Sequence, residues 1–206
     1  MNKVKLVSDF REWYDHMFDI EGLELHRPSR HLGRRESLNI MDAAGLRVPP
    51  SGPISTFWNH GDTVVVHTDE YAHRGDGKVI IDLFNFPVRS EIDKYNGMTC
   101  VKYMVDDNSF GRSYRHLWIG DMYFGIFYKS YNWRSNFGDV SISLDDYVYK
   151  PRPVFFDYMY PILAFDTVTV GGKEYYIDMN TSPGIPKDIG ISATEVVNYI
   201  KRFIFK

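Results

Sequence analysis

The sequence predicts an α+β fold built from antiparallel strand pairs, and three observations carry that reading. Residues 164–184 hold two runs of β-branched and aromatic residues, Val168 and Val170, then Tyr175, Tyr176 and Ile177. They flank Gly171-Gly172, the pattern of a β-hairpin. A second strand–loop–strand pattern occupies residues 61–82, with β-branched runs at 64–66 and 79–81. The C-terminus then switches to helical spacing, with Ser192 and Glu195 as a capping box ahead of Val196, Ile200, Phe203 and Ile204. At 206 residues, 44% hydrophobic and 16% aromatic, the chain suffices for one large domain or two small subdomains sharing a core.

Residues 8–19 read as an amphipathic helix capped by Ser8 or Asp9, with Phe10, Trp13, Tyr14, Met17 and Phe18 on one core-facing stripe. Residues 26–50 begin with the densest basic cluster of the chain, Arg27, Arg30, His31, Arg34 and Arg35. Cations at a helix start oppose its dipole, which hints at a phosphate or acidic substrate nearby. That helix runs to Ala44, closes on Gly45 and gives way to Pro49-Pro50. Within residues 61–82, the glycine-containing loop 73–77 offers backbone N–H groups that can cradle phosphates. His67, Asp69, Glu70 and His73 are a rival transition-metal set, although their spacing matches no closed zinc site. In residues 99–106, Val101, Tyr103 and Val105 alternate with Lys102 and Met104, a strand with one core face. Arg115 lies on a further strand among Tyr114, Leu117 and Trp118, and its planar fork suits phosphate or carboxylate. Trp133, Arg134, Ser135 and Asn136 make a polar turn, and residues 141–163 show no long helix.

In the 164–184 hairpin, Asp178 and Asn180 are two apart and share a sheet face. Whether Asp166 joins them depends on the turn. A two-residue Gly171-Gly172 turn sets Asp166 opposite Ile177, on the other face; a three-residue loop, 171–173, sets it opposite Asp178. Both lengths are common, and the three-residue loop is the expectation here. Two carboxylates and an amide oxygen on one face suit a hard cation, Mg2+ with nucleotide phosphates being usual for so few ligands. Asp178 is expected to be a surface carboxylate whose replacement leaves the melting temperature little changed.

Two blocks resemble a known family. Asp178-Met179-Asn180-Thr181-Ser182-Pro183-Gly184 is similar to the metal-binding signature of the ATP-grasp ligases, especially the RimK-type amino-acid ligases and their glutathione synthetase relatives. Residues 113–140 resemble the family's strand, Gly-Asp turn and strand carrying an arginine, here Arg115, followed by Arg134, Ser135 and Asn136. Together the blocks span most of residues 99–206. The segment 45–53, GLRVPPSGP, is similar to the stretch that precedes the family's ATP-binding region.

The resemblance implies an ATP-grasp fold: two α+β subdomains with the nucleotide bound between them. It divides the chain into a reduced N-terminal region (1–48), a small subdomain with glycine loop and hinge (49–105), and a C-terminal subdomain with the metal hairpin (106–206). The implied metal ligands are Asp166, Asp178 and Asn180, for Mg2+ or alternatively Mn2+. ATP would be held by His67, Arg74, Gly75, Gly77 and Lys78 around the loop, by Lys102, Tyr103 and Met104 at the hinge, and by Asp106 and Asn136. Arg115 and Arg134 take the catalytic places beside the transferred phosphoryl group. The implied activity is ligation of a carboxylate to an amine through an acyl phosphate, on small substrates or on a protein or peptide acceptor. His67 departs from the pattern, since it stands where the family's lysine contacts the phosphates, and an imidazole is mostly neutral near pH 7. Lys78 or Arg74 would substitute. The alternative reading is a nucleotide-binding regulatory or interaction module without turnover.

A net charge of −3 gives no general pull toward nucleic acid or an anionic membrane, and neither partner is expected. The single Cys100 excludes an internal disulfide framework. No apolar run approaches the roughly 18 residues of a membrane span, and the N-terminus lacks a signal peptide's apolar core. A cytoplasmic protein is expected. The resemblance implies that the substrate is bound by the basic segment 27–35 or by a partner, and a homo-oligomer or a protein partner is an expectation for the chain.

Overall fold

The computed structural model describes residues 4–7, 23–26, 32–71, 76–85, 89–105, 111–135, 138–145, 149–156, 160–181, 183–185 and 190–204. In chain order, β1 (Val4–Val7) and β2 (Leu23–His26) form a parallel pair. The helix expected at 8–19 lies outside the described residues. Next comes α1 (Arg34–Ala43), ending as expected where Gly45 turns out at φ 78°. Then follow β3 (Ser51–Gly52), α2 (Ser55–Trp58), β4 (Thr63–His67), β5 (Lys78–Asp82), α3 (Arg89–Ile92) and β6 (Thr99–Lys102). The second half contributes β7 (Gly111–Ile119), β8 (Met122–Ser130), β9 (Val140–Asp145), β10 (Ile162–Val170), β11 (Lys173–Asn180) and α4 (Ala193–Ile204). No described helix is long and apolar enough to cross a membrane.

Two antiparallel sheets organise these elements, a four-stranded one in the order β3-β6-β4-β5 and a five-stranded one in the order β11-β10-β7-β8-β9. Val64, Val66, Ile81 and Cys100 bury one face of the smaller sheet against Ile54 and Phe57. The larger sheet is buried on both faces. On one, Leu117, Ile119, Ile162 and Ala164 pack against Val196, Val197 and Ile200 of α4. On the other, Trp118, Leu163, Phe165, Tyr176 and Met179 pack against Leu38 and Met41 of α1. Alternation along β7 and β10 therefore defines an α4 face and an α1 face. The capping box at Ser192 is formed: Glu195 Oε2 accepts from the Ser192 N–H at 2.9 Å, and the Glu195 N–H donates back to Ser192 Oγ at 3.2 Å.

The hairpin differs from expectation in a way that decides the site. Val170 pairs with Lys173, so the turn has two residues, Gly171 and Gly172, at φ 56° and 70°. Both need the left-handed region that glycine enters freely. That turn alone would leave Asp166 opposite Ile177. Instead Thr167 pairs with Tyr176 while Asp166 pairs with Asp178, because Ile177 is an extra residue in a β-bulge. The bulge restores the facing of the two aspartates. Three-residue loop and two-residue turn plus bulge reach the same pairing by different routes.

Candidate functional site

On the α4 face, beyond Leu117 and Ala164, the apolar pattern gives way to charge. Arg115 lies directly across from Asp166, and its guanidinium holds the carboxylate in a fork: Nε donates to Oδ1 at 2.7 Å and Nη2 to Oδ2 at 2.8 Å. Each side chain is only 14% exposed. Burial works against the arginine's charge, yet Asp166 outweighs it and raises its pKa. The Tyr128 ring lies 5.3 Å from the guanidinium carbon.

Asp178, opposite Asp166, is bonded in turn by Arg34 at the start of α1. The same Nη1 donates to the Ile177 carbonyl at 3.1 Å. The bulge thus shapes both the carboxylate pairing and the backbone acceptor that anchors Arg34. Arg34 is 8% exposed, and its Nε is buried with no hydrogen-bond partner. Burial would raise the Asp178 pKa, but Arg34 and Lys78 overcome it and lower it.

The smaller sheet meets this cluster with His67 and Lys78, which face each other across β4 and β5. Burial, then the nearby Arg34 and Lys78 charges, push the His67 imidazole down to about 3, so it is neutral at pH 7. Burial and Arg34 also lower the Lys78 pKa. Lys78, Arg34 and Arg115 thus stand against two carboxylates, with a neutral imidazole beside them.

Asp166 and Asp178 face each other on adjacent strands, and Asn180 lies one step along the same face. This donor set fits Mg2+: hard oxygens, too few for an all-protein cage, suited to an ion that keeps waters and shares phosphate oxygens. Among the described residues, no group of three or more His, Cys, Asp or Glu side chains converges to hold a metal. Of the rival zinc set, His73 lies outside the described residues, and Glu70 is engaged elsewhere, accepting from the Arg35 N–H at 3.0 Å and from Thr99 Oγ1.

Solved structures with the same architecture identify the scaffold. An ATP-grasp ligase, PsnB, complexed with a phosphomimetic variant of its minimal precursor, Mg and ADP, aligns with a TM-score of 0.61 at 12% identity, over 84% of this chain and 58% of its own. A Chryseobacterium gregarium RiPP-associated ATP-grasp ligase, in complex with ADP and a leader and core peptide, aligns at 0.59 and 16% identity, over 93% and 66%. The chain has the ATP-grasp fold. D-alanine–D-alanine ligase from Bacillus anthracis shares it with a TM-score of 0.55 and 12% identity, over 84% of this chain and 67% of that one. The chain therefore spans about three fifths of the first ligase's length. No protein-family model and no curated protein sequence matches it.

Within that ATP-grasp frame the sequence-predicted residues separate into groups. Asp166, Asp178, Asn180, Arg115, His67 and Lys78 belong to the cluster or border it. Arg134 sits in the turn after β8, where Asn132 Oδ1 accepts from its backbone N–H at 3.0 Å and its Nε at 3.3 Å, and its charge reaches Lys78. That turn is pressed onto β7 so closely that a Cβ at Gly111 would come within 2.3 Å of the Asn132 carbonyl. At the hinge, β6 ends at Lys102, earlier than the sequence pattern suggested. Lys102 pairs with Asp62 at 2.6 Å, the Tyr103 N–H donates to the Thr63 carbonyl at 2.9 Å, and Met104 is half-buried. The Gly77 carbonyl closes the β4–β5 loop by accepting from Thr68 and Asp69 at 2.8 and 3.3 Å. Arg74, Gly75, Asp106 and Asn136 lie outside the described residues.

Arg34 is the residue the sequence reading left outside the ligand set. Its signal was present in the basic run opposing the α1 dipole, but nothing local links it to a carboxylate 144 positions away.

Proposed function

We propose that the chain binds Mg·ATP between its two sheets and ligates a carboxylate to an amine through an acyl phosphate. One observation carries this reading: two carboxylates face each other, each gripped by an arginine, one of which has a buried, unsatisfied Nε. A polyanion with a divalent ion completes both halves. Arg34 and Arg115 would then hold phosphate oxygens, and Asp166, Asp178 and Asn180 would hold the ion. Magnesium, when bound, neutralises charge on the transferring phosphoryl group.

In this reading Arg34 and Lys78 supply the positive charge that His67 does not. Arg115 orients the γ-phosphoryl group, with Arg134 closing the same end. The carboxylate oxygen attacks the γ-phosphorus and ADP leaves; the amine then attacks the acyl carbon, phosphate leaves and an amide forms. The peptide-bound neighbours support a protein or peptide as one class of acceptor beside small carboxylates and amines.

A second reading rests on the neutral His67. Without a cation there, the cluster binds nucleotide but turns it over poorly, as a regulatory or interaction module. Calorimetric titration with Mg·ATP, followed by ADP and hydroxamate release across pooled acids with hydroxylamine as the trapping amine, separates the two. Binding with hydroxamate formation supports the ligase. Binding alone supports the module, and absence of binding rejects both.

A further inference from the structure

The α1 face of the same sheet carries a second polar cluster that the ligase reading does not use. By alternation, Tyr114, His116, Thr167 and Glu174 point away from Arg115, Asp166 and Asp178. His116 is buried, its Nε2 is 2.6 Å from Glu174 Oε1, and its Nδ1 is 2.8 Å from the Tyr123 hydroxyl. Thr167 Oγ1 donates to the same Glu174 oxygen at 3.1 Å, while Lys150 Nζ bonds the other. At the β9 end, the Tyr114 hydroxyl donates to Asp145 Oδ2 at 3.3 Å. It can lie there because residue 125 is glycine: a Cβ would stand 1.8 Å from that hydroxyl. Burial lowers the His116 pKa and keeps the ring neutral. Burial alone would raise the Glu174 carboxyl, but the bonds from His116 and Lys150 outweigh it and lower it to about 2.

Over this floor opens a cavity of about 620 Å³, within the usual range for small-molecule sites. Tyr103, Val105, Phe127 and Trp133 give it apolar walls. Its charged lining is balanced, with Lys150 and Arg112 against Glu174 and Asp145. The Lys150 ammonium rests 5.0 Å from the centre of the Tyr176 ring, so the floor already accommodates an ammonium beside an aromatic face. A half-buried ionic network is rarely the most stable filling for a sheet face otherwise packed with Trp118 and Phe165.

We propose that this cavity is a second binding site, for a small zwitterion with an apolar body, the simplest being a free aromatic α-amino acid. The ammonium is drawn to Asp145 and Glu174, the carboxylate to Lys150 and Arg112, and the ring packs against the Phe127 and Trp133 walls. Arg115 and His116 are chain neighbours aimed at opposite faces, as are Asp166 and Thr167, so the two sites share strands without sharing side chains.

The test is calorimetry on the whole chain with L-phenylalanine, L-tyrosine, phenethylamine and 3-phenylpropionate, each with and without Mg·ATP. At least one amino acid binds, while each one-charge analogue binds about tenfold more weakly, the loss expected from one charged hydrogen bond. Glu174→Gln and Lys150→Met weaken the amino acid about tenfold or more. Arg112→Gln, at an exposed strand position, weakens it without touching the buried floor. Three results overturn the proposal: no amino acid binds, the one-charge analogues bind equally well, or Mg·ATP displaces the amino acid competitively. None depends on turnover, so failure of the ligase reading leaves the outcome interpretable.

Discussion

Arg115 and His116 are adjacent on β7, yet they open onto opposite sides of one sheet where buried charge is handled differently. On the α4 face the charges are full and held pairwise, arginine to carboxylate. On the α1 face a neutral imidazole sits within a continuous network from Tyr123 to Lys150. Pairs of the first kind can be exchanged, because a divalent ion can take the carboxylate and a phosphate can take the arginine. The second kind is a finished floor that a ligand meets but does not dismantle. A single strand can serve both because alternation isolates its faces while its backbone fixes their register.

The largest effect separating the faces is expected from Asp178→Asn. The sequence alone suggested a surface carboxylate of little consequence for stability, but Asp178 is bonded to a buried arginine. Breaking a fully buried pair costs about 3–5 kcal/mol; with Asp178 30% exposed, about 2 kcal/mol is the reasonable figure. Urea denaturation should show that loss, together with loss of magnesium-dependent nucleotide binding. An unchanged midpoint would mean that Arg34 finds another partner at no cost.

Gly125→Ala probes the other face, where Tyr114 must move off Asp145. A cost of about 1–3 kcal/mol is expected from overpacking, with nucleotide affinity preserved. Equal damage to nucleotide binding would erase the distinction between the faces.

A third contrast, spread over several pH units rather than felt at neutral pH, is the pH dependence of His67. Its folded pKa lies near 3, below the unfolded value of 6.5, so between those values the unfolded chain binds a proton the folded chain does not. Stability therefore falls as pH drops from about 6.5 toward 3, by at most about 1.4 kcal/mol per pH unit from this group. His67→Gln should flatten the profile in that window. Glu174 contributes a separate loss below pH 4.5, toward its folded value of about 2, and that loss should persist in the variant.

Much of the fold was legible because its signals are local. β-branched runs flanking glycines marked both hairpins, and the α4 capping box is made by residues three apart. β9 was not anticipated, although Val140, Ile142 and Leu144 alternate with serines there in a strand pattern. The candidate site was half legible. The facing of Asp166 and Asp178 depends on a bulge at Ile177, and nothing in an isoleucine marks it as the extra residue. Arg34 meets Asp178, and Lys150 meets the His116 network, only through tertiary packing. No spacing rule reaches across such separations. His67 was visible as a departure, but its depressed pKa comes from burial and from Arg34, neither of which a sequence displays.

The most direct measurement is calorimetric titration of a non-hydrolysable ATP analogue into the wild-type chain and Asp166→Asn, each with and without Mg2+. Binding to the wild type that requires magnesium, and that disappears in the variant, is the expected result. Binding of equal strength with or without the ion, or undiminished in Asp166→Asn, would contradict the assignment of the α4 face as a metal–nucleotide site.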